Sequence, residues 1–559
     1  NRGEQNRPPV GRAVAPRRRL GAALAVNGAA RLAARAARHP DAPAIIDIRH
    51  GQPRVTSFAS LDRATARGAA LLRDLGGREG DAGVVLHPMS LELYAALIAV
   101  FRLGMVAVVP EPSASRAQVA AALAPLPVAG FIGSRKAHLL RLRHPVFRRA
   151  RWAVSLDGWM PFATDWRASD TYAPLDALTA VRADTPALVT FTSGSTSVPK
   201  VAVRSHGFLL AQHDVLERSL HLTAGEVDVS TLPIFVLANL ASGVTSVLPD
   251  ADLRAPGRID AAPVLAQARA HGVVRTAASP GLLARLADES ARTGTTAPFR
   301  TIHVGGAPVF PPFLDRLAAM APAATVVSVY GSTEAEPIAE IGRGAIGDDD
   351  RQRMRDGAGL LAGVPVPEVT LRILAEPWRP DPIGDLDTAA FDARRAGVGA
   401  PGEIVVTGGH VLGGYLGGRG DDETKFRVDG RVWHRTGDAG YLDDAGRLWL
   451  LGRCSARVHD AHGTVYPFSV ECAAMHVPGV ARAAFTAVDG RRVLLLEAAP
   501  HTSLDLATVA ATVHWARLDA VREYPRIPVD RRHNAKIDYT ALPALLHRPP
   551  TREFIVSQG

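Results

Sequence analysis

Three observations predict an α/β protein with a large N-terminal domain of mostly parallel sheets and flanking helices, a β-rich subdomain, and a small α+β C-terminal domain. Short apolar runs alternate with Ala- and Leu-rich helical stretches through most of the chain. Between about residues 365 and 450 the pattern shifts to short strands separated by Gly and Asp turns. Beyond Gly452 a compact piece with mixed helix and strand signals follows. At 559 residues the chain exceeds what one hydrophobic core usually serves.

Taken in order, residues 1–28 read as a tail, with Arg17, Arg18 and Arg19 in a Pro-rich stretch. The apolar piece Leu20 to Val26 is shorter than a normal signal core, and AARLAARAAR, residues 29–38, reads as an amphipathic helix. The runs GVVLHP, LELYAALIAVFRLG, VAVVP, AQVAAALAPL and VAGFIG then alternate strand and helix. The rhythm continues through VSTLPIF, GVTSVLP, VVRTAASP, TIHVGG and TVVSVYG. GEIVVTG and GRLWLLG are the short strands of the β-rich part. The boundaries expected are a tail to 28, one domain over 29–452, and a second over 453–559.

Hydrophobic residues make up 47% and charged residues 21% of the chain, a globular balance. The net charge of +9 comes from arginine scattered along the whole length rather than from a basic patch, so no nucleic-acid partner is expected. The two cysteines, Cys454 and Cys472, form no metal spacing and no disulfide framework, which suits a reducing, cytoplasmic setting. No apolar run approaches the roughly 18 residues of a membrane span.

The strongest chemical signal is LVTFTSGSTSVPK, residues 188–200. An apolar strand runs into a loop of glycine and hydroxyl residues that exposes backbone N–H groups around one concavity, and Lys200 adds a positive charge; phosphate oxygens suit such a loop. By composition alone it would be an ordinary surface loop, and it lacks the GxxxxGK[ST] spacing. The ordered set TSGST-x-x-PK is far more specific. HVGGAPV (303–309), VYGSTEAEP (329–337), WHRTGDAGYLDDAGRLWLLGR (433–453) and VDRRHNAKIDY (529–539) follow it. In that order the five segments resemble the adenylate-forming superfamily of acyl-CoA synthetases, peptide-synthetase adenylation domains and luciferases, over roughly residues 30 to 545.

The resemblance implies ATP and Mg²⁺ as cofactors and a small-molecule carboxylic acid as substrate. It implies that Thr192, Ser193, Gly194, Ser195, Thr196 and Lys200 surround the phosphates. Gly305, Gly306 and Ala307 lie along the adenine, on which Tyr330 stacks, with Gly331 and Ser332 beside it. Thr333 contacts the α-phosphate, Glu334 holds Mg²⁺, Asp438 takes the ribose hydroxyls, and Arg453 lies next to it. Lys536 is the catalytic lysine on a mobile C-terminal domain, with Ser455 at the hinge. Phe235 and Val236, in LPIFVLANLASG, fall in the acyl pocket, Val236 standing where many acyl-CoA synthetases carry histidine.

Other departures are Ser197 and Val201 for the usual phosphate-loop glycines, a missing lysine before Gly463 (Arg457 is not its equivalent), and HNAK for NGK. Together these features resemble the β-lactone synthetases of bacterial long-chain olefin biosynthesis, which adenylate a β-hydroxy fatty acid and let its hydroxyl displace AMP. The alternatives are a ligase passing the acyl group to CoA or a carrier protein, for which CoA becomes a cofactor, and a non-catalytic nucleotide- or acyl-binding homologue. Other enzymes of the same pathway are further candidate partners.

Overall fold

Serine marks many of the junctions where strand turns into helix. The hydroxyls of Ser57, Ser90, Ser115, Ser134 and Ser205 accept the backbone N–H of Ser60, Leu93, Gln118, Ala137 and Phe208, and each opens the helix that follows. Such caps satisfy N–H groups that a helix start leaves orphaned, so the strand-to-helix switch is specified locally. The computed structural model describes residues 26–49, 51–111, 114–191, 200–253, 256–375, 381–530 and 535–556.

The strands gather into two large sheets. One has seven strands in the order Thr164–Asp165, Trp152–Ser155, Val128–Gly133, Ala82–Leu86, Val106–Val109, Pro186–Phe191 and Val201–Ser205, parallel except for the last pair. Alternate residues feed different cores: Val84, Val108, Phe131 and Val189 enter one cluster, and Val85, Ala107, Ile132 and Leu188 another. Burial on both faces explains why these strands read as continuous apolar runs.

The second sheet has fourteen strands. Thr245–Val247, Val227–Ser230, Arg275–Ala278, Thr301–Gly305 and Thr325–Ser332 run parallel. From Ala335–Gly342 onward the neighbours are antiparallel. The strands expected as a β-rich subdomain are present, and they continue this same sheet: Leu360–Pro365 pairs with Ala335–Gly342 on one side and Leu448–Arg453 on the other. VSTLPIF is not one strand. Val227–Ser230 ends before Leu232, which is extended, and Pro233 opens the helix Pro233–Ser242. Proline disfavours helix in the residue before it and suits the first helical position, so one residue both stops the strand and starts the helix.

After Arg453 a 3₁₀ turn, Cys454–Ala456, leads to a four-stranded sheet of Val480–Val488, Arg491–Ala498, Ala520–Glu523 and Arg552–Ile555 with its own core around Val470, Phe485, Leu494 and Val509. Both cysteines are free and buried. Residues 1–25 of the expected tail lie outside the described residues, whereas Val26 pairs with Val181 and the Asn27 amide donates to the carbonyls of Phe101 (2.8 Å) and Thr179 (2.9 Å). The expected amphipathic helix runs Ala30–Arg38 and buries Leu32 and Ala36, one turn apart. Among the described residues no helix is long and apolar enough to cross a membrane.

Candidate active site

Two parallel strands end side by side, with Gly305 opposite Val329. Crevices at the carboxyl ends of parallel strands are where open α/β sheets bind ligands. The backbone there is too close for side chains. A Cβ on Gly305 would sit 2.8 Å from the Val329 carbonyl, and one on Gly331 would sit 3.1 Å from that of Ala335. Gly306 takes a φ of +86°, which favours glycine.

Beyond Val329 the chain supplies two polar clusters within five residues. In the first, the Tyr330 hydroxyl donates to Asp438 Oδ2 at 2.8 Å, and Arg453 Nε lies 3.3 Å from Asp438 Oδ1. Arg453 faces Asp438 directly across an antiparallel pair and also donates to the Thr436 carbonyl at 3.0 Å. Burial, with the Asp438 carboxylate beside it, holds the Tyr330 phenol well above its ordinary pKa, so it remains a donor.

The second cluster centres on Glu334. Tyr415 donates to its Oε1 at 2.7 Å, and its own N–H caps on the Ser332 hydroxyl at 3.2 Å. Burial pushes the Glu334 carboxyl up, yet the neighbouring His434, the Tyr415 hydroxyl and the Lys425 ammonium together bring it below its ordinary value. Lys425 is itself buried, donating to the Leu412 carbonyl at 2.6 Å with the Tyr415 ring 5.5 Å away, and burial lowers its pKa to about 8. His434, also buried, is pushed down to about 3 and is neutral at physiological pH. Lys200 makes an ion pair of 2.9 Å with Glu423 and lies 5.8 Å from the Tyr415 ring. Arg204 donates to the Thr333 carbonyl at 2.9 Å, tying the middle of the segment to the neighbouring sheet.

A mainly apolar cavity is lined by Gly305 together with Phe235, Leu216, Leu220 and Ala277. Val236, the next residue on the Phe235 helix, does not line it. It is fully buried and packs into a separate core with Leu240 and Leu248, because successive helix residues point about 100° apart. Lys536 belongs to the C-terminal piece. Its N–H donates to Asp530 Oδ1 at 2.9 Å and its carbonyl accepts the Asp530 N–H at 2.9 Å. Three residues on, the Tyr539 hydroxyl donates to buried Glu471 at 2.7 Å. Ser455 is exposed in the turn after Arg453. Ala307 is half-buried beside Gly306. Thr192, Ser193, Gly194, Ser195, Thr196 and Ser197 lie outside the described residues.

The structure therefore brings Tyr330, Asp438 and Arg453 into one network and sets Glu334 beside Lys200's partner ring. Tyr415, Lys425, His434 and Arg204 were missed by motif spacing. Their roles rest on contacts across the fold, and nothing short of those contacts marks them. Among the described residues no three His, Cys, Asp or Glu side chains could hold a metal by themselves. Magnesium is commonly held by one or two carboxylates together with phosphates, and the ionised Glu334 fits that arrangement.

Comparison with known proteins agrees with this geometry. Residues 32–416 match the family of AMP-binding enzymes. The chain is 34% identical over 508 residues to an olefin beta-lactone synthetase of Stenotrophomonas maltophilia, covering 86% of this chain and 89% of that one. It is 32% identical to an olefin beta-lactone synthetase of Xanthomonas campestris pv. campestris, with the same coverages of 86% and 89%. In fold it is similar to the amide bond synthetase McbA of Marinactinospora thermotolerans, with TM-score 0.73, 21% identity, and coverage of 92% and 99%. It is also similar to the O-succinylbenzoate Coenzyme A synthetase of Bacillus subtilis, with TM-score 0.69, 22% identity, and coverage of 91% and 97%.

Proposed function

The chain belongs to the AMP-binding enzyme family and is an adenylate-forming synthetase, and on that premise we propose that it adenylates a β-hydroxy fatty acid with ATP and then closes the product to a β-lactone. The observation that carries the first step is the adjacency within residues 330–334 of two oppositely equipped clusters. Tyr330 with Asp438 offers a flat ring and a carboxylate for a nucleoside. Glu334 with Lys425 and Lys200 nearby offers a metal ligand and cations for phosphates.

In this reading the substrate carboxylate oxygen attacks the α-phosphorus of ATP, the bond to the bridging oxygen breaks, and pyrophosphate leaves. Negative charge grows on the phosphoryl oxygens, so positive groups held there beforehand lower the barrier. Glu334 would hold magnesium, which when bound neutralises phosphate charge. Asp438 accepts the ribose hydroxyls, Thr333 faces the α-phosphate, and Gly305, Gly306 and Ala307 make room for the adenine. Lys536 bridges carboxylate and phosphate when the C-terminal domain closes, and Ser455 lies at the hinge. That piece has a core of its own, while Cys472 and Phe468 on its first helix pack against the larger one.

In the second step the β-hydroxyl oxygen bonds to the acyl carbon, the bond from that carbon to AMP breaks, and the hydroxyl proton passes to solvent or to the departing phosphate. An intramolecular nucleophile has a large effective concentration, which helps offset ring strain. The two olefin beta-lactone synthetases at 34% and 32% identity support this product. Supplying a long-chain β-hydroxy acid with ATP and Mg²⁺ and omitting CoA is expected to yield AMP and an extractable lactone. Accumulation of acyl-AMP, turned rapidly to thioester by added CoA or carrier protein, would replace this reading with a ligase.

A further inference from the structure

One side chain in the acyl cavity has no role in the scheme above. His303 is 2% exposed, lines the same cavity as Gly305, and makes no well-formed hydrogen bond at either ring nitrogen, the Ser219 carbonyl being the nearest acceptor that acts on it. A buried polar group without a well-formed hydrogen bond is costly, so such a group invites an explanation. Apolar surroundings dominate: Leu216, Leu220, Leu232, Phe235 and Ala277 share the wall.

We propose that His303 is the residue that recognises the hydroxyl of the substrate, its imidazole exchanging a hydrogen bond with a hydroxyl carried on the acyl chain near the carboxyl end. The inference rests on the acyl-activating reading given above. Strand geometry places the ring suitably. Residues 303 and 305 project to the same face of their strand about 7 Å apart, so the ring lies one pleat from Gly305 along the wall of the same cavity. His303 also sits opposite Ala277 in the neighbouring strand, whose small side chain leaves the ring open to the cavity.

The other polar groups around it are already engaged. The Ser219 hydroxyl donates to Glu340. Arg275 donates to Glu226 at 2.8 Å, to the His221 carbonyl at 2.9 Å and to the Leu220 carbonyl. Glu336 lines the same cavity from the strand opposite. Burial, then the nearby Arg275 and His221, push the His303 pKa down to about 3 against a weak pull from the Ser219 carbonyl. The ring is neutral at working pH, with one nitrogen to donate and one to accept. A hydroxyl needs the same pair of roles.

A pocket built to hydrogen-bond a hydroxyl rejects the analogue that lacks it far more strongly than an apolar pocket rejects an added hydroxyl. The test compares 3-hydroxydecanoate with decanoate on the full-length wild type, His303→Leu and His303→Asn. Affinity is measured by calorimetry without ATP, and kcat/KM by pyrophosphate release with ATP and Mg²⁺. The wild type is expected to favour the hydroxy acid by at least about tenfold in affinity. His303→Leu should bring that ratio close to one by raising KM for the hydroxy acid far more than for decanoate. His303→Asn should keep part of the preference.

The substrate-free melting temperature is a second readout. Removing an unsatisfied buried imidazole in favour of leucine should leave it unchanged or raise it by about 1–3 °C. A ratio unchanged by His303→Leu, or no preference in the wild type, overturns the proposal. A fall in melting temperature with the ratio intact identifies the ring as structural. Failure of adenylation itself shows separately, as absence of acid-dependent pyrophosphate release, because the affinity ratio is read without ATP.

Discussion

Asp438 takes a hydrogen bond from Tyr330 on one oxygen and pairs with Arg453 on the other, and the ribose of ATP is proposed to sit against it. Asp438→Ala is therefore expected to weaken ATP binding by about 1.5–3 kcal/mol, roughly tenfold to a hundredfold. Isothermal calorimetry checks it, and unchanged affinity would place the ribose elsewhere. Tyr330, Glu334, Asp438 and Lys536 were singled out from the sequence because each sits in a short segment whose order along the chain is specific. Lys425, Tyr415 and His303 were not. A lone lysine in ETKF or a histidine in TIHVGG gives no sign of burial, and only the packed fold shows that one sits beside a carboxylate and the other in a cavity wall with no well-formed hydrogen bond.

At the scale of elements, alternation of apolar runs and helices was enough to find the parallel strands, because each is buried on both faces. Two things were harder to read. The strand expected through VSTLPIF breaks at Pro233, where steric preference for a helix start outweighs an apolar run. The β-rich stretch joins the large sheet through the pairing of Leu360–Pro365 with Ala335–Gly342, a long-range contact that local pattern does not carry. The helix Pro467–Met475 supplies a further prediction. Glu471 on it is fully buried, accepting the Phe485 N–H at 3.0 Å and the Tyr539 hydroxyl at 2.7 Å, and burial raises its pKa from 4.5 to about 7. A carboxyl whose folded pKa is raised favours the folded state below its unfolded value. That contribution is lost as pH climbs through about 7. Glu471→Gln, which keeps an acceptor and cannot ionise, should therefore match the wild type near pH 5 and exceed it near pH 8, by at most about 3 kcal/mol. Thermal unfolding at the two pH values is the measurement, and equal stability at pH 8 would contradict it.

For the whole molecule, a large two-sheet body, where the nucleotide and acyl sites are proposed, is followed by a smaller piece that carries Lys536. The smaller piece has its own core around Val470 and Phe485, its residues Cys472 and Phe468 pack against the larger core, and the chain enters it after Arg453 through the turn holding Ser455. The preceding residue, Gly452, has a φ of +101° and would press a Cβ 3.2 Å from the Phe468 ring, so the junction is built around a glycine. If the two pieces close to bring Lys536 over the reacting groups, adenylation should depend on that one side chain while folding does not. Removing a preorganised charge contact of this kind costs on the order of a hundredfold in rate. The most direct measurement is the exchange of labelled pyrophosphate into ATP with β-hydroxy fatty acids, run on the wild type and on Lys536→Ala. Acid-dependent exchange in the wild type, lost by about a hundredfold or more in a variant with an unchanged melting temperature, is the expected result. Exchange that needs no acid, or a variant that keeps more than about half the wild-type rate, would contradict it.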